Sequence, residues 1–230
     1  MFDEPLAFSP DQFSGTARVF PIPNLVMFPH VMQALHVFEP RYKALLEESV
    51  EDDRMMALAV HDGGPGQHEE DRPLLNRTSC LCRVATHQQT SEGTYNVLLL
   101  GVCRLRLLDE LPPDRPFRVF EAEVIDEREP EQSEQAVASE LQKKLLSAFK
   151  RSMPKMPEAY DQLDQLLGNQ ITLGMLADIV SYTLDLGVEW KMRLLGECDV
   201  LRRTSILLEA MAGRSVGGNH RPFPPLFSNN

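Results

Sequence analysis

The stretch FPIPNLVMFPHVMQALHVFEPRY, Phe20 to Tyr42, decides the fold. Prolines stand at 21, 23, 29 and 40 between short apolar runs. Proline has no N–H to give a strand ladder, so it is confined to strand starts, edges, bulges and first helical turns. The stretch therefore predicts broken, edge-rich β-structure. Within it Val31 to Phe38 alternates residue by residue, and the pattern Tyr42, Leu45, Leu46, Ser49, Val50 that follows is helical. Pro40 opens that helix, over about 40–50, at a position where a missing N–H costs nothing.

Working outward, residues 1–16 read as an irregular leader whose Phe2, Phe8 and Phe13 pack onto the domain. Residues 17–127 carry strand signals: a compact run from Met55 to Val60, a hairpin of Cys80–Gln88 and Tyr95–Leu108 about a turn at Ser91 to Thr94, and a closing strand from Phe117 to Ile125. The run DGGPGQHEEDRP, 62–73, is a loop of glycine, proline and charge.

Near Asp126 the apolar period changes to that of a helix, so 131–213 is expected to be a helical bundle. Its first helix takes Ser133 as N-cap, with Val137, Leu141, Leu145, Ala148 and Phe149 inward. A short second helix opens at Pro157 and stops at Gly168. A third is capped by Thr172, lines Leu173, Leu176, Ala177, Val180 and Leu184 along its inner face, and ends at Gly187; the last runs unbroken over about 188–212. The inner faces are read as free of His, Glu and Asp. Residues 214–230 form a proline-rich tail with Phe223, Leu226 and Phe227 as apolar anchors.

In 230 residues there are 34 acidic and 23 basic side chains, a net charge of −11 that repels polyanions and makes nucleic acid an unsuitable partner. No apolar run reaches the ~18 residues of a membrane span, and the acidic N-terminus does not suit a signal peptide. With four cysteines and no dense cysteine framework, the expected compartment is the cytoplasm.

No residue is assigned to catalysis, metal or cofactor. Cys80, Cys82 and Cys103 lie close together in the hairpin, with His87 near, but zinc knuckles use C-x₂-C rather than C-x-C in a strand, so they read as small buried hydrophobes. His61, His68, Glu69, Glu70 and Asp71 read as solvated loop charge, and no serine sits in a G-x-S-x-G setting. Glu39 and Arg41 flank Pro40 with an expected structural role, Glu39 near the positive helix end and Arg41 in a salt bridge or bonded to a strand.

Phe20-Pro21-Ile22, Met27-Phe28-Pro29 and Phe38-Glu39-Pro40-Arg41-Tyr42 resemble the opening of the LON N-terminal domain, the substrate-recognition region at the front of ATP-dependent Lon proteases, also found alone in small bacterial proteins. His30 stands where that family usually has glycine, so the turn after Pro29 is expected to differ slightly. Gly101-Val102-Cys103-Arg104-Leu105-Arg106 resembles the family's "G..R..I" strand. Leu176-Ala177-Asp178, Lys191, Leu194-Leu195, Asp199-Val200, Arg202 or Arg203, and Leu207-Leu208 match its helical pattern.

The resemblance implies an α+β protein, a PUA-like pseudo β-barrel with one helix followed by the bundle. It implies a non-enzymatic module that binds unfolded or exposed hydrophobic protein segments, at the barrel edge or the junction with the bundle. Phe28, Pro29, Phe38, Glu39, Arg41 and Tyr42 are the candidate peptide-binding residues. The ATPase and peptidase of Lon are not expected here, since no G-x-x-x-x-G-K-[ST] occurs and the residues beyond Gly213 are too few. The competing readings are an adaptor that docks on a separate protease, an RNA or nucleotide binder of PUA type, and an unrecognised hydrolase.

Overall fold

Alternate residues along five strands face one shared core, and that alternation dictates the first part of the architecture. The strands are β1 (Thr16–Ile22), β3 (Met55–Val60), β4 (Thr78–Gln89), β5 (Tyr95–Glu110) and β6 (Arg118–Ile125). They contribute Ala17, Val19, Ala57, Ala59, Leu81, Leu105, Leu107 and Phe120 to one buried cluster. β3 runs parallel to β1 and antiparallel to β4, β6 is antiparallel to β1 and β5, and β5 returns antiparallel to β4, so the pairings close a ring. The alanines at 17, 57 and 59 fit the narrow interior that so few strands enclose.

The computed structural model describes residues 13–61, 73–152, 171–213 and 228–229. It divides into two compact units between Ile125 and Asp126, the strand at 228–229 belonging with the first. In that first unit, α1 (Pro40–Glu51) covers the outer face of β1 and β3 with buried Tyr42, Leu45, Leu46 and Ser49. Arg18 of β1 fastens it, with Nε 3.1 Å from Glu48 and Nη1 2.9 Å from Asp53. Covered on both faces, β3 is buried throughout, which is why Met55 to Val60 is an apolar run without alternation.

β2 (Met32–Val37) lies outside the ring, antiparallel to the first half of β5. The long β5 changes neighbour at Gly101, pairing with β2 before it and with β6 after it. The chain from Phe28 to Val31 crosses there. His30 N–H donates to the Gly101 carbonyl and Gly101 N–H to the Val31 carbonyl, both at 2.9 Å.

His30 adopts φ +65°, the left-handed conformation that a glycine would take freely. A non-glycine residue pays roughly 1–2 kcal/mol there, and glycine's extra unfolded-state entropy costs roughly 0.5–1 kcal/mol. His30→Gly is therefore expected to raise stability by up to about 1 kcal/mol, about 2–4 °C in Tm for a chain of this size, in a thermal melt.

In the second unit, a 3₁₀ turn (Gln132–Glu134) leads into α2 (Gln135–Ser152), followed by α3 (Leu173–Thr183), α4 (Val188–Gly196) and α5 (Val200–Ala212). α2, α3 and α5 pack on one another, and α4 packs on α3 and α5. Thr172 caps α3 as expected, its hydroxyl accepting from the Met175 N–H. Leu173, Leu176, Ala177, Val180 and Leu184 are buried.

Four expectations are corrected here. The N-terminal cap is not Ser133 but a Glu131–Glu134 capping box, held in place by Arg128. Val137 is 52% exposed and Ala138 is buried in its stead. Gly187 does not end α3 in a left-handed turn; its φ is −58° and it opens α4. The last helix breaks at 197–199, because the Asp199 carboxylate accepts from the Arg202 N–H and starts a new helix. The helix expected from Pro157 to Gly168 lies outside the described residues, as do loop residues 62–72, Phe2, Phe8, Phe223, Leu226 and Phe227. Phe13 packs on the barrel cluster. Among the described residues no helix is long and apolar enough to cross a membrane.

The Arg202 N–H above all, and the Arg128 guanidinium beyond it, hold the Asp199 carboxyl below its usual range despite some desolvation. A depressed folded-state pKa gives stability that is present above the unfolded value near ~4 and is lost as pH falls through the folded one. Asp199→Ala is expected to cost about 1 kcal/mol at neutral pH and to lose that cost in acid; Asp199→Asn, also a good cap but one that does not titrate, should be nearly neutral at neutral pH and more stable than wild type in acid. Urea midpoints across that range measure both.

Candidate functional site

The Phe38-Glu39-Pro40-Arg41-Tyr42 corner is built from the backbone up. Glu39 is extended (φ −65°, ψ 134°) and its carbonyl accepts from the N–H groups of Tyr42 and Lys43 at 3.0 and 2.9 Å, starting α1. Its side chain does not cap the helix; its carboxylate takes Arg41 Nε at 3.0 Å and an Nη at 2.9 Å. The guanidinium in turn lies 4.7 Å from the centre of the Tyr42 ring, which stacks at 4.3 Å on Phe20. Burial raises the Tyr42 pKa, with the Arg41 charge opposing, so this phenol stays neutral and serves packing.

The six candidate residues do not form one cluster. Phe28 and Pro29 are buried beside Gly101 at the Met32 end of β2, the opposite end from Phe38, while Tyr42 is buried against the Arg41 guanidinium. Phe38 is 44% exposed, and Glu39 and Arg41 are half-exposed beside it. The structure adds residues that the motif did not reveal. On β2, Met32, Ala34 and His36 share the outer face with Phe38, and register places Leu100, Leu98 and Asn96 of β5 opposite the first three.

Met32 is 42% exposed, and Leu98 and Leu100 are half-buried. The His36 ring lies 6.2 Å from the Phe38 ring, its Nδ1 at 2.9 Å from Asn96 Oδ1. The result is an apolar strip two strands wide, bordered along β4 by Arg83, Thr86 and Gln88. The strand alternation of Val31 to Phe38 contained this signal, since Met32 and Phe38 fall on the face that does not enter the core.

Register sets Cys103 opposite Leu81, hence on the face away from Cys80 and Cys82. Burial, then the neighbouring Cys80, pushes the Cys103 thiol up to about 12. A thiol so raised is protonated at neutral pH, and the thiolate is the form that ligates or attacks. Among the described residues no group of three His, Cys, Asp or Glu is placed to hold a metal ion. His61 N–H pairs with the Ile22 carbonyl at the end of β1; His68, Glu69, Glu70 and Asp71 lie outside the described residues.

The interior of the second unit, expected to be free of His, Glu and Asp, holds a buried ion cluster. Arg203 and Asp178 are both fully buried, with Arg203 Nε 3.4 Å from Asp178 Oδ1. An Nη of Arg203 lies 2.9 Å from Glu127, and the other donates at 2.9 Å to the Glu197 carbonyl. The buried Lys191 donates at 2.7 Å to the Tyr182 carbonyl.

The fold is similar to two solved domains. The N-terminal domain of Mycobacterium avium complex Lon protease superposes with a TM-score of 0.65 at 18% identity, covering 87% of this chain and 100% of that one. A Lon N-terminal domain protein from Xanthomonas campestris gives 0.58 at 19% identity, over 84% and 97%. In sequence, the Lon protease of Anaeromyxobacter dehalogenans is 24% identical over 212 residues, 90% of this chain and 24% of that protein. Lon protease 2 of Myxococcus xanthus is 23% identical over 197 residues, 84% and 23%. The chain thus spans about a quarter of the length of these curated relatives. The model of one family, the ATP-dependent protease La (LON) substrate-binding domain, matches residues 16–213, and the chain belongs to that family.

Proposed function

We propose that this chain is a protein- and peptide-binding module that captures exposed hydrophobic segments of unfolded proteins in the cytoplasm, with no ATPase or peptidase chemistry of its own. The observation that carries the reading is the apolar strip of Met32, Leu98, Leu100 and Phe38, exposed or half-buried among the described residues in a domain of a substrate-binding family. Phe38, Glu39 and Arg41 contact the client at one end of the strip, with Tyr42 against Arg41, and the buried Phe28 and Pro29 support the other end. The paired Glu39 and Arg41 present no net charge, which suits an apolar client. The helices of 131–213 form, on this reading, a bundle that is a second part of the module.

An immobilised array of overlapping peptides from an unrelated protein tests the reading. Saturable binding concentrated on uncharged, Leu-, Ile- or Phe-rich windows is expected. Binding that does not follow peptide sequence contradicts it.

A further inference from the structure

Methionine is an apolar residue that oxidation turns polar in place. Its thioether takes one oxygen and becomes a sulfoxide, polar and chiral, on an otherwise unchanged side chain. Exposure decides which methionine reacts first. Among the described residues Met27, Met55 and Met56 are buried, Met175, Met192 and Met211 are half-buried in the second unit, and Met32 alone is exposed, at 42%.

Met32 is also the one described methionine on the apolar strip. It stands on the outer face of β2 opposite Leu100, at the far end of the strip from Phe38. A flexible, polarizable thioether suits a surface that receives side chains of different shapes, so methionine here broadens the range of apolar clients. The same atom makes the strip oxidisable. The cysteines of the first unit do not compete for the oxidant: Cys80 and Cys82 are buried, and the Cys103 thiol, pushed up to about 12 by burial above all, carries almost none of the reactive thiolate at neutral pH.

Resting on the peptide-binding reading above, we propose that Met32 is an oxidation site that regulates the strip: a hydroperoxide converts it to the sulfoxide, the strip loses one apolar end, and apolar clients are held less tightly. In the step, the Met32 sulfur gives an electron pair to one peroxide oxygen. The S–O bond forms as the O–O bond breaks, and the second oxygen leaves with the proton as water or an alcohol, so sulfur is oxidised and peroxide reduced. Sulfoxide reductases reverse the change, one enzyme for each configuration at sulfur.

The test treats the full chain with hydrogen peroxide, removes the peroxide with catalase and restores thiols with dithiothreitol. A fluorescein-labelled peptide of alternating leucine and threonine, which holds no sulfur, is then titrated by anisotropy. Mass spectrometry of proteolytic fragments is expected to find the added oxygen at Met32 before Met175, Met192 or Met211, with binding weakened about three- to tenfold by the loss of one apolar contact. Both sulfoxide reductases together should restore it. Met32→Leu, which keeps the apolar surface and has no sulfur, should bind like wild type before peroxide and remain unchanged after it. Oxidation of Met32 no faster than of the half-buried methionines, undiminished affinity of the oxidised chain, no recovery with the reductases, or an equal loss in Met32→Leu overturns the proposal alone. Absence of peptide binding by untreated wild type and untreated Met32→Leu alike overturns the peptide-binding reading and this proposal with it.

Discussion

Gly101→Ala is expected to cost at least about 4 kcal/mol, lowering Tm by about 8–16 °C or preventing soluble expression. A β-carbon built on Gly101 lies 2.0 Å from the Phe28 carbonyl oxygen and 2.9 Å from its carbonyl carbon. The obstacle is main chain, so no side-chain rotation relieves it. Phe28 is fully buried, and hydrogen bonds from both sides of Gly101 tie β5 to the 28–31 crossing. Moving that crossing away breaks those bonds and opens the core beneath it.

Gly93 is the control. Its φ is +75° with nothing within 4 Å of a built β-carbon, so Gly93→Ala should cost only the left-handed penalty, about 1 kcal/mol. Thermal melts followed by circular dichroism compare the two. Similar losses at both positions would contradict the close-approach argument.

Arg203→Met is expected to destabilise the second unit by about 3–5 kcal/mol. The substitution preserves much of the side-chain length but leaves the fully buried Asp178 carboxylate without this counter-charge. Against a typical domain stability of about 5–15 kcal/mol, that is a large fraction. Glu127 is 22% exposed and can turn to water; Asp178 cannot.

The double variant Asp178→Leu, Arg203→Met removes both charges and should recover much of the loss, since a buried pair replaced by apolar groups of similar size is often neutral. The chain's single tryptophan, Trp190, lies in α4 of the same unit, so urea unfolding followed by its fluorescence reports on it. A single variant as stable as the parent would show that the cluster contributes nothing to stability.

Features set by local chemistry were legible in the sequence, and those set by distant contacts were not. Prolines and residue-by-residue alternation located β2 and α1, and Pro40 opens the helix as its fixed φ requires. The ring closure was not legible in this way, because it depends on β1 pairing with β3 and with β6, strands far from it in sequence. The break at 197–199 was hidden because Asp199 sits inside a run that remains periodic through it.

The buried Asp178 and Arg203 were absent from the expected inner faces because amphipathic reading treats charge as exposed. Both positions nonetheless fell within the family-like pattern, Leu176-Ala177-Asp178 and Arg202 or Arg203; burial singles out Arg203, with Arg202 exposed. At the candidate site, the aromatic corner was visible as a motif, while Leu98 and Leu100 joined it only through register with β2.

Whether the outer face of β2 and β5 captures apolar segments is tested most directly by titrating a fluorescein-labelled peptide of alternating leucine and threonine, followed by anisotropy, against wild type and the double variant Met32→Asp, Phe38→Asp. Both side chains are more than two-fifths exposed, so the folded state should tolerate the change and the melting curves should nearly coincide. Loss of their apolar contact, about 1–2 kcal/mol each, predicts binding weakened at least tenfold. Undiminished affinity in a variant that melts like wild type would contradict the account.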